Sequence, residues 1–265
     1  MSKAHSPPYF FTPSPSSSDY PLFVFLPGMD ETGKELMRIQ TAGLETAFDV
    51  RCLVIPSDEF ISWTHLSEQV IALTQAELKK TPRSSVYLCA ESFGACIALK
   101  TILSAPKLFN RIILINSASS FHRVTWLNWG SALFSWIPQF IYKNSSFLAF
   151  LFLISFNKLS SKAHHALFKS VQDAPKKVVM QRLNLMRQFD IDEMELHHLA
   201  QPVLLIASEA DLILPSVAEA KRLATILPNA QVVTVPHKGH ACLVEEGVNL
   251  LKILQAENFL DNSSY

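Results

Sequence analysis

The chain has 265 residues, 49% of them hydrophobic and 17% charged, with a formal net charge of zero. That length holds one large α/β domain or two small ones, and the apolar content supplies a sizeable core and excludes a disordered chain. The neutral balance gives no global attraction for nucleic acid, so no nucleic-acid partner is expected.

The first 20 residues, MSKAHSPPYFFTPSPSSSDY, are dominated by proline and serine and hold no unbroken apolar h-region. They do not read as a secretory signal. Residues 1–19 read as a loosely held, flexible arm, with Tyr9-Phe10-Phe11 as an edge-strand candidate. Six short apolar runs follow: Leu22–Leu26, Cys52–Ile55, Val86–Cys89, Ile112–Ile115, Val203–Ala207 and Val232–Val235. Each is nearly continuous rather than alternating, as expected of strands covered on both faces. Apolar spacings of three and four predict helices over Thr32–Phe48, Ser62–Lys80, Phe93–Ser104 and Ser216–Leu227, with Ser62 and Ser216 as N-cap candidates. Strand–helix alternation predicts an α/β fold: a mostly parallel sheet with helices on both faces.

One stretch breaks the alternation. Residues 121–200 offer no convincing strand, yet hold three of the four tryptophans and nine of the 18 phenylalanines. They read as an inserted helical cap between two parts of a core, 20–120 and 201–260. Such an insertion is well placed to cover the carboxyl ends of the strands, where ligands bind in sheets of this kind. The longest clean apolar run within it, Phe147–Ile154, is only eight residues. A membrane span needs about 20. Lys143 through Arg187 holds eight Lys and Arg residues and a single acid, Asp173. Two compatible roles follow for this stretch. The preferred one packs its apolar faces on the core and around an acyl pocket that is long and apolar; the other rests the cap on an anionic membrane surface as a peripheral contact.

The four cysteines (Cys52, Cys89, Cys96, Cys242) show no CxxC spacing, and most fall in apolar patterns. Reduced, buried thiols are expected, and with them a cytoplasmic, reducing compartment. The pairs His164-His165 and His197-His198 lack metal-type partner spacing and read as solvated helix positions.

The chemistry concentrates at Ala90-Glu91-Ser92-Phe93-Gly94, between the third apolar run and the helix after it. A serine on a strand–helix turn, with small residues two before and two after, reads as a nucleophile elbow. The turn is expected to bring positions 90 and 94 nearly into contact, so that only Gly or Ala fits. A serine nucleophile needs a base, and the base needs an orienting acid; in such a sheet they follow in the order serine, acid, histidine. The acid falls in Ser208-Glu209-Ala210-Asp211, with Asp211 the candidate and Glu209 its alternative. The histidine falls in Pro236-His237-Lys238-Gly239-His240, with His240 the candidate and His237 its alternative. The anionic intermediate needs two backbone donors. The Phe93 N–H and the Met29 N–H of Pro27-Gly28-Met29-Asp30 are the candidates. Gly28, Asp30 and Glu91, with Trp126 and Phe134 of the insertion, are candidate substrate-binding residues; Asp30 is read first as a cap of the following helix. This serine chemistry calls for no cofactor and no metal.

Through LPGMD, AESFG, SEADLILP and HKGHACLVE, in that order, the chain resembles the α/β-hydrolase superfamily over roughly residues 20–255. FLPGMDETGKELM, DVRCLVIPSDEF, AESFGACIALK and INSASSF are similar to one branch, the plastid and cyanobacterial esterase/lipase/thioesterase proteins that include phytyl ester synthases. The resemblance implies an α/β-hydrolase fold, with Ser92, Asp211 and His240 as the triad and Gly28-Met29 with Phe93 as the oxyanion loop. It implies a lipophilic acyl ester or thioester as substrate and a thylakoid-like membrane as neighbour. Two departures stand out. The elbow opens on Ala90 rather than glycine, and no histidine is followed by aspartate in the H-x4-D pattern of the synthases' acyltransferase region. Ester hydrolysis is therefore the expected reaction, ahead of acyl transfer to a long-chain alcohol such as phytol, or of lipid binding without catalysis.

Overall fold

The structure, a computed structural model, describes residues 6–15, 18–29, 33–57, 62–125, 127, 129 and 159–261. Its centre is a seven-stranded sheet. The strands are β1 (Tyr9–Phe11), β2 (Leu22–Leu26), β3 (Asp49–Val54), β4 (Val86–Glu91), β5 (Arg111–Ile115), β6 (Val203–Ser208) and β7 (Ala230–Val235), in the order β1-β3-β2-β4-β5-β6-β7. Only β1 runs antiparallel, pairing Tyr9 with Val54 and Phe11 with Cys52. Part of the expected N-terminal arm is thus an edge strand.

Alternation along β2 explains the two layers. Leu22, Val24 and Leu26 join one core, with Leu66, Val70, Ile97 and Leu223; Phe23 and Phe25 join the other, with Met37, Leu250 and Leu254. Successive side chains point to opposite faces, so a strand covered on both sides must be apolar throughout. β7 differs: as the sheet edge it is only half-buried, with Gln231 and Thr234 exposed. β3 begins at Asp49, earlier than its apolar run. Asp49 is fully buried at the sheet because Arg51 and Arg83 both pair with its carboxylate. Paired charges can occupy a strand where an unpaired one could not.

The helices are α1 (Lys34–Gln40), α2 (Trp63–Lys80), α3 (Phe93–Ser104), α4 (Ser161–Asp173), α5 (Lys176–Arg187), α6 (Glu193–Leu196), α7 (Ser216–Ile226) and α8 (Leu250–Ala256). Ser62 caps α2 as expected, accepting from the His65 N–H at 3.2 Å. The helix predicted over Thr32–Phe48 is shorter. Gly43 turns left-handed at φ 89°, and a 3-10 turn at Leu44–Thr46 follows. Ser216 is not the cap of α7 but its first residue, with its hydroxyl used elsewhere. Among the described residues between β5 and β6 the regular elements are helical, and α5 packs on α3. Among the described residues no helix is long and apolar enough to cross a membrane.

Candidate active site

Four loops meet beyond the carboxyl ends of the parallel strands. β2 leads into Pro27-Gly28-Met29, β4 into Ser92, β6 into Asp211 and β7 into His240. Ser92 stands between β4 and α3 with φ 52° and ψ −113°, a conformation that costs a non-glycine residue on the order of 1–3 kcal/mol. Neighbouring backbone holds it there. Its N–H donates to the Ile115 carbonyl at 2.9 Å, and its own carbonyl accepts from Ala95 at 3.0 Å and Ala118 at 3.2 Å. Gly94 is required: the tightest contacts of a Cβ at this position would be the Leu26 and Pro27 carbonyls at the end of β2.

Ser92 Oγ lies 2.9 Å from His240 Nε2, and His240 Nδ1 lies 2.7 Å from Asp211 Oδ2. The structure therefore joins Asp211 and His240 to the serine, while Glu209 and His237 are exposed to solvent. With a carboxylate accepting at Nδ1, that nitrogen carries the proton and Nε2 is left to accept from the serine. Burial pushes the Asp211 carboxyl up, but His240, Ser216 and the Leu214 N–H outweigh it, and the net position is below the ordinary carboxylate value. The two Asp211 oxygens divide the work. Oδ1 accepts from the Ile213 and Leu214 N–H groups at 2.8 and 3.0 Å; Oδ2 takes the Ser216 hydroxyl and the imidazole.

A further set of residues holds the histidine loop. Asn116, at the end of β5, adopts φ 45° and donates through Nδ2 to the His240 carbonyl at 2.7 Å and to Ser208 Oγ at 2.9 Å. Its Oδ1 accepts from the Ser208 N–H at 2.8 Å. Buried Glu245 accepts from the Gly239 N–H at 2.8 Å. Neither is singled out as a site residue in the sequence, though INSASSF contains Asn116 and HKGHACLVE ends on Glu245.

Phe93 is the first residue of α3, where a backbone N–H has no helical acceptor, and its ring is fully buried against Trp63. Gly28, Met29 and Glu91 line the cavity over Ser92. Glu91 is itself buried and accepts from Gln40 Nε2 at 2.8 Å, a partner the sequence did not reveal. Asp30, Trp126 and Phe134 lie outside the described residues. The cavity is walled by Leu167, Val171, Leu183, Met186 and Leu214, so its lining is apolar as expected; the part enclosed by described residues has a volume of about 100 Å³. Arg182, one of the eight bases between Lys143 and Arg187, is buried and donates to the Met29 carbonyl.

Comparison with known proteins supports the fold. Over 275 aligned residues the chain is 29% identical to phytyl ester synthase 1, chloroplastic, of Arabidopsis thaliana, covering 94% of this chain and 39% of that protein. It thus spans about two fifths of the length of that relative. Among solved structures, the esterase RhEst1 from Rhodococcus sp. ECU1013 superposes with a TM-score of 0.75 at 15% identity, covering 92% of this chain and 91% of that one. The 2-hydroxy-6-oxo-6-phenylhexa-2,4-dienoate hydrolase of Rhodococcus sp. strain RHA1 gives 0.69 at 16%, covering 95% and 98%. At such identities the superpositions speak for the fold alone. The sequence pattern of the alpha/beta hydrolase fold family matches residues 26–247, which include the strand ends, the elbow and the histidine loop, and the chain belongs to that family.

Proposed function

We propose that the protein is a serine ester hydrolase that cleaves a lipophilic acyl ester through an acyl-enzyme on Ser92. The reading rests on the continuous contact from Ser92 Oγ through His240 to Asp211 beneath an apolar cavity. Ser92 Oγ attacks the acyl carbon, and its proton passes to His240 Nε2. The Met29 and Phe93 N–H groups receive the oxyanion. His240 returns the proton to the leaving alcohol, water repeats the sequence on the acyl-enzyme, and free acid departs. Asp211 keeps the imidazole in the required tautomer throughout.

A fluorophosphonate probe tests the nucleophile. Labelling of the wild type and none of Ser92→Ala is expected; equal labelling of both would sink the assignment. Medium-chain p-nitrophenyl esters should be cleaved faster than the acetate, and a preference for acetate would rule out an apolar acyl pocket.

A second reading, acyl transfer to a long-chain alcohol, is favoured by the similarity to phytyl ester synthase 1. Both readings share the acyl-enzyme, and the partition between free acid and phytyl ester, measured with phytol present, separates them. Peripheral membrane contact is proposed for the inserted cap, which exposes Lys169 and Lys177. Co-sedimentation with anionic but not neutral vesicles is its test.

A further inference from the structure

Arg182 is a charged side chain where a charge is costly. It belongs to α5, and it is only 2% exposed. A buried guanidinium is tolerated when hydrogen bonds replace its lost hydration, and an apolar side chain of similar volume is often no less stable in its place. Stability alone therefore gives little reason for arginine here. The contacts give another. Nη1 donates to the Met29 carbonyl, and Nη2 donates to the Ile55 carbonyl at 3.3 Å, just beyond β3. The guanidinium carbon lies 5.8 Å from the centre of the Phe93 ring. Met29 and Phe93 are the two residues whose N–H groups are proposed to receive the oxyanion. They come from different strand ends, β2 and β4, and one cation from a third element donates to the carbonyl of the first and lies over the ring of the second. A rigid, planar fork of donors can bridge two carbonyls from separate loops, which a single ammonium cannot do with the same geometry. The Ile55 carbonyl ties that bridge to the sheet.

We infer that Arg182 is a positioning residue for the oxyanion hole. It fixes Met29 and Phe93 relative to one another, so that the seating of α5 on the core sets the rate of acyl transfer. The inference rests on the proposed serine mechanism and adds to it a dependence on a helix that contributes no reacting atom.

The test compares Arg182→Met and Arg182→Lys with the wild type. Three quantities are read: kcat and KM on a p-nitrophenyl ester, the inhibition constant of an alkyl trifluoromethyl ketone, and Tm. The ketone reports the hole directly. Ser92 Oγ adds to its carbonyl carbon, the serine proton passes to His240, and the former carbonyl oxygen becomes an oxyanion. Removing a whole oxyanion donor costs about 10²–10³ in kcat, and displacing donors that remain present should cost about 10–100-fold. The expected result is that loss in kcat, with KM within about twofold and the ketone's inhibition constant raised by the same factor as kcat falls.

Wild-type kcat and ketone affinity in both variants would overturn the inference. So would a rise in KM alone, which would make Arg182 a wall of the substrate pocket. If Arg182→Met does not fold, Arg182→Lys decides by the same two readouts; if neither reaches a wild-type Tm, the residue is structural and the inference fails. The underlying mechanism is judged separately. Catalysis or probe labelling that survives Ser92→Ala removes the serine reading whatever Arg182 does. Labelled Ser92 with indifferent Arg182 variants removes only this inference.

Discussion

A Cβ placed on Gly94 would stand 2.3 Å from the carbonyl oxygen of Leu26. The helix behind the nucleophile is thus pressed directly onto the end of the neighbouring strand. The Pro27 carbonyl follows at 2.7 Å, so the obstacle is backbone on two consecutive residues rather than a side chain that could swing away. Gly94→Ala must therefore move α3 or the β2 end, and both carry proposed oxyanion donors. Overpacking of this kind costs about 1–3 kcal/mol. A displacement near 1 Å can cost about 10²-fold in rate. Urea unfolding and ester hydrolysis measured on the same sample should show both losses. Wild-type kinetics would mean that the loop and the helix are not held in contact.

Asn116 offers a test of how the histidine loop is held. Its amide links the Ser208 N–H, the Ser208 hydroxyl and the His240 carbonyl, and its φ of 45° suits asparagine or glycine better than alanine. Asn116→Ala strands a buried N–H and strains the backbone; the expected loss is about 2–3 kcal/mol of stability and about tenfold in kcat. Asn116→Gly relieves the backbone but not the hydrogen bonds. It should fall between the two in stability while matching Asn116→Ala in rate. Full recovery of the rate in the glycine variant would assign the effect to strain and not to the amide.

Residues whose neighbours lie nearby in the chain are legible in the sequence. The elbow is such a case, because the small residues at 90 and 94, the apolar β4 run and the helix pattern after it are contiguous. The order of Asp211 and His240 follows from sheet topology, so it too could be read. What stayed hidden depends on distant partners. The start of β3 at Asp49 reads as polar until Arg51 and Arg83 arrive to pair with it. Ser216 looks like a helix cap until Asp211, five residues earlier, takes its hydroxyl. The tightest steric demand at Gly94 comes from the end of β2, 68 residues back. Arg182 is 153 residues from the Met29 carbonyl it binds, and nothing in its local spacing separates it from Lys177, which is exposed on the same helix.

The protonation of Asp211 links activity to acid stability. Burial pushes its carboxyl up, but His240, Ser216 and the Leu214 N–H together outweigh it and hold the group below the ordinary aspartate value in the folded protein. A carboxyl whose folded pKa is depressed adds stability above its unfolded pKa, and that stability is lost as pH falls through the folded value. The difference in unfolding free energy between the wild type and Asp211→Asn should therefore shrink as pH falls below about 4. Urea melts of both proteins across that range provide the measurement. A difference that grew on acidification would mean that burial, and not the hydrogen bonds, dominates at Asp211.

The cysteines separate a serine nucleophile from a thiol one. All four are free and buried, and Cys96 lies one helical turn beyond Ser92. Burial pushes the Cys89 and Cys96 thiols well above the ordinary value and the Cys242 thiol up to about 12. The thiolate is the reactive form, so at pH 8 a thiol with a pKa near 12 is ionised in about one molecule in 10⁴. The native protein should therefore react slowly with Ellman's reagent and release its full thiol count only in urea. Incubation with iodoacetamide should leave ester hydrolysis intact, while a fluorophosphonate abolishes it. Rapid titration of a native thiol, accompanied by loss of activity, would place a cysteine in the reaction and remove Ser92 from its proposed role.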